Sequence, residues 1–354
     1  MLLGCDDVKI TVAIPCYNLE DRIVTCLESV ISQDYQDVEI LIIDDCSTDH
    51  SREVVNEIIR NHPERQFHFI INDINLGLNK VRNLAIQEAK GDCLFFVDGD
   101  DTIEPETLSM FHRRMEETHV DVVCGSFRRK DFDGNTYITK QFPSDTIIGD
   151  FAYASYIEKY IKGYFHIAVW NNLYRLNFLK SHDIYCSCNY RTYESSLFTF
   201  KVVLNAQSIS FIQDVTYNYY DVPTSICHQK KDKEYLRTIS AVKVSVIDAM
   251  RDCVVGHKYI QLPRGIWFLL HFICLTNGSL KDVMESNVSK REKKQFFKWL
   301  KETYRRNDMN WNTIVGPYNR ISYLILVSPF SYPLFRFYFK HLKTVAKIVG
   351  YLTK

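Results

Sequence analysis

The chain has 354 residues, and its 43 lysine and arginine residues balance 43 aspartate and glutamate residues. This balance excludes the strong positive field of a non-specific nucleic-acid binder. Any charged partner would therefore have to bind a local cluster of charged residues. The length exceeds that of an average domain and predicts a main domain with a smaller second one. The 11 cysteines match neither a disulfide framework nor a four-ligand zinc site, so we expect reduced thiols in a cytoplasmic protein.

The N-terminal sequence MLLGCDDVKI does not have the basic and long apolar regions of a secretory signal. The longest uncharged apolar stretch, residues 321–335, contains Pro329 and Pro333, whereas a spanning helix needs about 20 residues. We therefore expect no transmembrane helix.

From Val8 onward, short β-branched or aromatic stretches alternate with segments of helical period, which is typical of βαβ units and a largely parallel sheet. The predicted strands are VKITVAI (8–14), VEILIID (38–44), FHFIIN (67–72) and CLFFVD (93–98). Core-facing helices are predicted within residues 19–32 and 51–62 and from about Asn79 to Gly91.

The pattern changes along the chain after these strands. Residues 105–117 predict a helix with proline in its first turn, residues 120–127 a strand, and DFDGNTY (131–137) a hairpin turn. Residues beyond about 235 have mostly helical periods. A polar, charged stretch near residue 230 suggests a boundary, so we predict an α/β domain over 1–230 and a mainly helical region over 231–354.

Carboxylates are concentrated where two predicted strands end. FFVDGDD ends in Asp98, Asp100 and Asp101, and IIDDCSTD carries Asp44 and Asp45. Ligands of open α/β sheets bind beyond these strand ends. Crowded carboxylates are best tolerated beside a cation, and oxygen ligands select Mg²⁺ or Mn²⁺, which commonly also bind substrate phosphates. One such motif could equally cap the following helix, but two in register favour a nucleotide diphosphate site.

Three blocks resemble, in order and spacing, the consecutive motifs of family 2 glycosyltransferases with the GT-A fold. They are ITVAIPCYN (10–18), SVISQDYQDVEILIIDDCSTD (29–49) and NLGLNKVRNLAIQEAKGDCLFFVDGDD (75–101). The resemblance covers residues 8–105 and extends more loosely to about 225. It implies a Rossmann-like, mostly parallel sheet flanked by helices, and transfer of a sugar from a nucleoside diphosphate.

The resemblance implies a base pocket lined by Pro15 and Tyr17, with Asp45 accepting a hydrogen bond from the nucleobase. Asp44 and Asp49 are weaker candidates, because an acid here can equally form a cap or a turn.

Further residues would lie around the phosphates. Arg82 is expected near the nucleotide, although an arginine on a helix is more often exposed. Asp98 and Asp100 would hold ribose hydroxyls and the metal, with Asp101 as a further metal contact. The sequence does not rank these three acids.

The segment VWNNLYRLNFL (169–179) resembles the family's acceptor-side block. Trp170 and Asn172 are the predicted acceptor-side residues, because an aromatic platform suits sugar stacking. An aromatic residue in this pattern is as often part of the core.

The segment YRTYESSLFTF (190–200) resembles the place where the family has a Glu–Asp pair whose aspartate is the base. Here the pair is Glu194 and Ser195, and serine cannot accept the proton without its own activation. We favour Glu194 as the base. Asp183 or Asp214 could replace it, or the protein could bind a nucleotide sugar without transferring it.

Basic residues near position 230 and at the end of the chain are further candidates for ligand or membrane contacts. His228 and Lys230 are either phosphate contacts or surface residues. Farther on, one helical face would carry the basic residues Arg336, Lys340, Lys343 and Lys347. Such a helix would either lie on an anionic membrane surface or pack on its own domain.

Together these features predict a metal-dependent, inverting glycosyltransferase of the cytoplasm, with Mn²⁺ or Mg²⁺ as cofactor, which would lie at the inner face of the membrane if the tail helix binds lipid. Its donor would be a nucleoside-diphosphate sugar, a UDP-sugar before others, and its acceptor a glycan or lipid-linked oligosaccharide of a surface polysaccharide. The alternatives are a silent glycan-binding protein and a nucleotidyltransferase. The last would need a glycine-rich, basic phosphate loop, and PCYNLEDR (15–22) is not one.

Overall fold

The computed structural model describes residues 8–131, 133–148, 168–187 and 194–221, together with 242, 246, 249–250, 253, 288–295 and 298. The chain divides into two compact units, Met1–Ser225 and Ile226–Lys354. All elements named below belong to the first unit. Within the described ranges, no helix is long and apolar enough to cross a membrane.

Strands and helices alternate in the first part of the unit, as the sequence predicts. They are β1 (Ile10–Cys16), α1 (Ile23–Ile31), β2 (Val38–Asp44), α2 (Ser51–Asn61), β3 (Gln66–Ile71), α3 (Leu78–Glu88) and β4 (Cys93–Phe96). The second part contains β5 (Thr102–Ile103), α4 (Thr107–Thr118), β6 (Val122–Lys130), β7 (Thr136–Lys140), β8 (Thr146–Ile148), β9 (Asn172–Arg175), α5 (Leu176–Ser181), α6 (Glu194–Asn205) and β10 (Ser208–Tyr220).

The strands form one mixed sheet in the order β3-β2-β1-β4-β9-β6-β10-β5, with β7 paired to β6 and β8 to β10. Strands β3, β2, β1 and β4 are parallel neighbours, and β6 and β10 are also parallel. β9 runs antiparallel to both β4 and β6, so β6 keeps the direction of β4. The predicted α/β class with a mostly parallel sheet is confirmed.

The buried strands explain the continuous apolar runs of the sequence. β1 and β2 are buried along their whole length, as expected for parallel strands covered on both faces. Two polar side chains on these strands are hydrogen-bonded to each other: Thr11 Oγ1 donates to Glu39 Oε2 at 2.6 Å. Helix α1 packs with the apolar face that the period predicts, burying Ile23, Leu27 and Val30. The core therefore fixes the strand ends from which the site is built.

The predicted hairpin is also present. β6 pairs antiparallel with β7 across the loop that contains Gly134. This glycine has a φ of 85°, in the left-handed region that residues with a Cβ rarely adopt.

Candidate active site

The loops after β1 and β2 lie side by side and are tied together. The last paired residues of the two strands are Cys16 and Asp44. The Asn18 amide donates to Ser47 Oγ at 3.0 Å, and Asn18 Oδ1 accepts from the Thr48 amide at 2.8 Å. These bonds give the edge of the sheet a fixed shape before any ligand arrives.

Two predicted base-pocket residues lie on the first of these loops. Pro15 is buried within β1, whereas the side chain of Tyr17 is 47% exposed directly after the strand. Tyr17 thus has a free aromatic surface at the ligand edge of the sheet, and Pro15 shapes the backbone below it.

Asp45 holds the loop that leads into α3. Its Oδ1 accepts from the Asn72 side-chain amide at 3.0 Å and from the Leu76 amide at 2.8 Å, and its Oδ2 accepts from the Gly77 amide at 2.7 Å. These donors use much of the carboxylate's capacity. The geometry therefore favours a loop-positioning role for Asp45 over the predicted nucleobase contact.

Asp44 uses only one of its two carboxylate oxygens in hydrogen bonds to the described residues. Its Oδ2 accepts from Arg52 Nε at 2.6 Å and from the Ser47 amide at 3.1 Å. Its Oδ1 is buried and accepts no hydrogen bond from any residue that the structure describes. Leaving such an atom without a donor costs about 1–3 kcal/mol, which a ligand N–H would relieve. Asp44 has no exposed surface, so a ligand would reach this atom only if a neighbouring side chain moved.

Asp49 forms the turn before α2. Its Oδ1 accepts from the Ser51 amide and hydroxyl, and its Oδ2 accepts from the Glu20 amide. Partial burial alone would raise the pKa of Asp49, but these hydrogen bonds outweigh it and lower the pKa. Asp49 is thus the turn former that the sequence allowed.

The three acids after β4 do not act alike. Asp101 is 1% exposed; its Oδ2 accepts from the Tyr217 hydroxyl at 2.8 Å and its Oδ1 from the Tyr220 amide at 2.8 Å. Burial and the charges of Asp100 and Asp98 raise its pKa well above the ordinary value. Both oxygens are therefore committed to β10, and the predicted role of Asp101 as a metal contact has no support in this geometry.

Asp98 and Asp100 remain as candidate ligands. Asp98 Oδ1 accepts from Arg82 Nη2 at 2.7 Å, while the Asp100 carboxylate accepts no hydrogen bond from another described residue. Burial, and then the charge of Asp98, raise the pKa of Asp100 to about 6, against the opposing effect of Arg22 and Arg82. Carboxylates under such repulsion suit a hard divalent cation.

These residues do not form a complete metal cage. Among the described residues, no three His, Cys, Asp or Glu side chains are grouped to hold an ion, so the predicted three-carboxylate set is not assembled. Two carboxylates fit an ion whose other ligands are substrate phosphates and water, which is how Mg²⁺ is commonly bound.

Arg82 is buried rather than exposed, with 2% of its surface accessible. Its pairing with Asp98 means that its loss leaves the Asp98 carboxylate without this buried cation and removes one of the two arginine charges that act on Asp100. We expect Arg82→Met to lower the free energy of unfolding by about 2 kcal/mol, somewhat below the cost of breaking a fully buried pair. Urea denaturation measures this, with Arg60→Met on the exposed face of α2 as the control. Equal stability of the two variants would contradict it.

The antiparallel direction of β9 brings the start of the predicted acceptor block to the ligand edge. Trp170 is nevertheless buried, stacking on Tyr217 at 4.5 Å and on Tyr219 at 5.6 Å between ring centroids. Asn172 Nδ2 donates at 3.0 Å to the carbonyls of Ala168 and Trp170. The acceptor role of Trp170 and Asn172 stays a prediction, and the contacts favour packing and loop shaping.

Asn171, which the sequence pattern did not single out, ties three strands together. Its φ is 58°, and its amide group donates to the Ser126 carbonyl at 3.0 Å and accepts from Thr216 Oγ1 at 2.8 Å. Its backbone N–H donates to the Phe96 carbonyl. Asparagine tolerates the left-handed region, and this preference was the available signal in the pair Asn171–Asn172.

Glu194 is the first residue of α6, and its side chain lies outside the described part of the chain, while Ser195 is half-buried. The segment before it is anchored to α3: Asn83 Oδ1 accepts from the Cys186 amide at 2.7 Å, and Asn79 Nδ2 donates to the Ser187 carbonyl at 2.9 Å. Asn79 and Asn83 flank Arg82 on this helix. Cys186 and Ser187 therefore lie against the part of α3 that contains Arg82.

The two alternative bases, Asp183 and Asp214, are both exposed. Asp183 is exposed after α5, whose Lys180 reaches the Gln87 carbonyl at the far end of α3. Asp214 is exposed on β10 beside residues of α4, including Arg113. His228, Lys230 and the basic tail helix with Arg336, Lys340, Lys343 and Lys347 lie outside the described residues.

The fold and this edge define an α/β protein with two carboxylates, a buried arginine and an exposed tyrosine around the ends of parallel strands. The model of the family described as "Glycosyl transferase family 2" matches residues 11–198. The chain belongs to this family.

Two curated relatives illustrate the match. The chain is 24% identical over 217 residues to the uncharacterized glycosyltransferase EpsJ of Bacillus subtilis, covering 61% of this chain and 62% of EpsJ. It is 31% identical over 218 residues to the poly(ribitol-phosphate) beta-N-acetylglucosaminyltransferase TarS of Staphylococcus aureus, covering 60% of this chain and 35% of TarS. In both cases the match spans less than two thirds of the relative's length.

Solved structures show the same GT-A fold. TarS residues 1–349 in complex with UDP superpose with a TM-score of 0.56 at 25% identity, covering 84% of this chain and 80% of that one. The complex of the same fragment with UDP-GlcNAc has a TM-score of 0.61 at 23% identity, with coverages of 90% and 86%. A mannosyltransferase of Pyrobaculum calidifontis, solved with GDP-Man and Mn²⁺, has a TM-score of 0.50 at 14% identity, with coverages of 84% and 81%.

Proposed function

We propose that this chain is a metal-dependent, inverting glycosyltransferase that moves a sugar from a UDP-sugar to a hydroxyl group of a surface polysaccharide or its lipid-linked intermediate. The observation that carries the proposal is the environment of the Asp98 and Asp100 carboxylates. The first is held by a buried arginine, and the second has a raised pKa and accepts no hydrogen bond from another residue that the structure describes, at the strand ends where α/β sheets bind ligands.

In this proposal, each residue on the donor side has a distinct role. Tyr17 stacks on the base, and Asp44 Oδ1 accepts the ring N–H. Arg82 holds Asp98 in orientation, and Asp98 and Asp100 are the residues that would hold Mn²⁺ or Mg²⁺. A bound divalent ion neutralises charge on the departing diphosphate. The TarS complexes with UDP and UDP-GlcNAc, and the mannosyltransferase complex with Mn²⁺, support these ligand classes.

On the acceptor side, Glu194 takes the proton of the attacking hydroxyl as the new glycosidic bond forms. Transfer with inversion requires a base within hydrogen-bond reach of that hydroxyl. The support is the position of Glu194 at the start of α6, after a segment fastened to α3 beside Arg82. The name of TarS, which acts on poly(ribitol-phosphate), supports a cell-surface polymer as acceptor. A position at the inner membrane face belongs to the same proposal.

The test is release of nucleoside diphosphate by the full chain from a panel of UDP-sugars and GDP-mannose with Mn²⁺. We expect release from at least one UDP-sugar, loss of release with EDTA, and recovery when Mn²⁺ is added in excess. Asp98→Asn should abolish release, and Asp133→Asn, on the exposed β6–β7 turn, should not change it. Release from no donor, or release that EDTA leaves intact, would refute the proposal.

A second candidate is a protein that binds the nucleotide sugar without transferring it. Ser195, which stands where the family's aspartate is expected, is the observation that favours it. Binding of UDP that saturates in the presence of Mn²⁺, with no release from any donor, would distinguish this candidate from the enzyme.

A further inference from the structure

The hydroxyl of Tyr217 bridges the two ends of the acidic turn. It donates to Asp101 Oδ2 at 2.8 Å and accepts from the backbone N–H of Asp98 at 3.1 Å. The turn also closes on itself, because the Asp101 amide donates to the Asp98 carbonyl at 2.9 Å. One phenol oxygen on β10 is therefore bonded to both the first and the last acid of the turn.

The opposite side of the turn is packed just as closely. A Cβ on Gly99 would lie 2.7 Å from Leu19 Cδ1 and 2.8 Å from the Pro15 carbonyl oxygen, so the turn backbone touches the loop after β1. The turn lies between this loop and Tyr217. These contacts oppose movement toward the loop after β1, and the hydrogen bonds of β10 oppose movement in the other direction, together with the Arg82–Asp98 ion pair.

Tyr217 is itself held in place by the predicted acceptor block. Its side chain is fully buried, and the indole of Trp170 stacks on its ring at 4.5 Å with an angle of 14° between the planes. Tyr220, three residues farther along β10, adds the amide that binds Asp101 Oδ1. The packing of Trp170 thus reaches the donor side through one intermediate residue.

We propose that Tyr217 is a positioning residue that sets the geometry of Asp98 and Asp100 for the metal and diphosphate of the donor, and that Trp170 acts through it. This inference rests on the proposed function. Removing the hydroxyl leaves the Asp98 amide and Asp101 Oδ2 without a partner in a buried place, so the turn relaxes. Loss of a residue that orients a ligand of a metal commonly lowers metal affinity about 10- to 100-fold.

The test compares Tyr217→Phe with Tyr35→Phe in the full chain. Tyr35 is a matched control, because its hydroxyl donates to the Val8 carbonyl at 2.5 Å, far from the acidic turn in the sequence and at the opposite end of β1. Electron paramagnetic resonance measures Mn²⁺ binding in the presence of UDP, without any need for turnover. We expect binding about tenfold weaker in Tyr217→Phe and unchanged in Tyr35→Phe.

Trp170→Phe keeps an aromatic ring against Tyr217 and serves as the second variant should Tyr217→Phe fail to fold. It should weaken Mn²⁺ binding in the same direction but less. A residue needed only for stability would lower the melting temperature of Tyr217→Phe and leave Mn²⁺ binding unchanged, and that result would overturn the inference while the donor site stands. If the unmodified chain binds no Mn²⁺ with UDP, the proposed function fails and this inference falls with it.

Discussion

Replacing Asp100 with asparagine is expected to stabilise the protein without its ligands while lowering sugar transfer at least a hundredfold. Burial and the neighbouring charge of Asp98 raise the pKa of Asp100 from 3.8 to about 6, so its ionised form opposes folding at neutral pH. Each unit of such a shift corresponds to about 1.4 kcal/mol, and part of it returns when Asp98 and Arg82 adjust. We expect Asp100→Asn to raise the free energy of unfolding by about 1–2 kcal/mol at pH 7.5.

The raised pKa of Asp100 also predicts how the stability gained by Asp100→Asn changes with pH. A carboxyl with a raised pKa binds its proton more tightly in the folded than in the unfolded chain, so stability falls as pH rises between the two pKa values. The cost of the ionised Asp100 is absent below about pH 3.8, develops between the two pKa values and is nearly complete above about pH 6. The advantage of Asp100→Asn should therefore grow across this range and level off above it.

Urea denaturation at pH 4.5 and 7.5 in EDTA measures the stability, and release of nucleoside diphosphate measures the activity. Asp133→Asn removes a carboxylate from an exposed turn and should change neither quantity. A carboxylate that destabilises the fold yet is needed for turnover is what a cation ligand should be. An Asp100→Asn protein that is no more stable at pH 7.5, or that turns over normally, would contradict the assignment.

Much of the fold follows from local pattern. The strand and helix periods predicted β1 to β4 and α1 to α3, because all of them except the half-exposed β3 bury an apolar face or core. The antiparallel insertion of β9 between β4 and β6 did not follow, since the four residues NLYR (172–175) do not encode which strands will flank them. That insertion brings residues 170–172 to the ligand edge.

The sequence located the acidic residues of the site but did not rank their roles. Sequence spacing found the acids but could not show which of them are bonded to distant backbone. Asp45 accepts from amides 31 and 32 positions later, and Asp101 from Tyr220, 119 positions later. Such contacts depend on the packed fold, and they separate acids that hold loops from Asp98 and Asp100, which remain available to a ligand.

The second large effect is expected at Glu194. If Glu194 takes the acceptor's proton, Glu194→Gln should lower kcat about 100- to 10,000-fold, the usual contribution of a general base, with the donor KM nearly unchanged. The amide keeps the size of the side chain but cannot accept the proton at neutral pH. Steady-state transfer to an acceptor measures both parameters, and the acid limb of the pH profile should disappear with the base.

Ser195→Asp supplies the matched test, because Ser195 follows Glu194 directly and is half-buried at the start of α6. Introduced into the Glu194→Gln protein, this substitution places a carboxylate where the family's base is expected. Recovered transfer would show that the acceptor site is intact and that position 194 had been supplying the base. Unchanged kcat in Glu194→Gln alone would instead exclude Glu194. The remaining candidate bases would then be Asp183 and Asp214, which are both exposed.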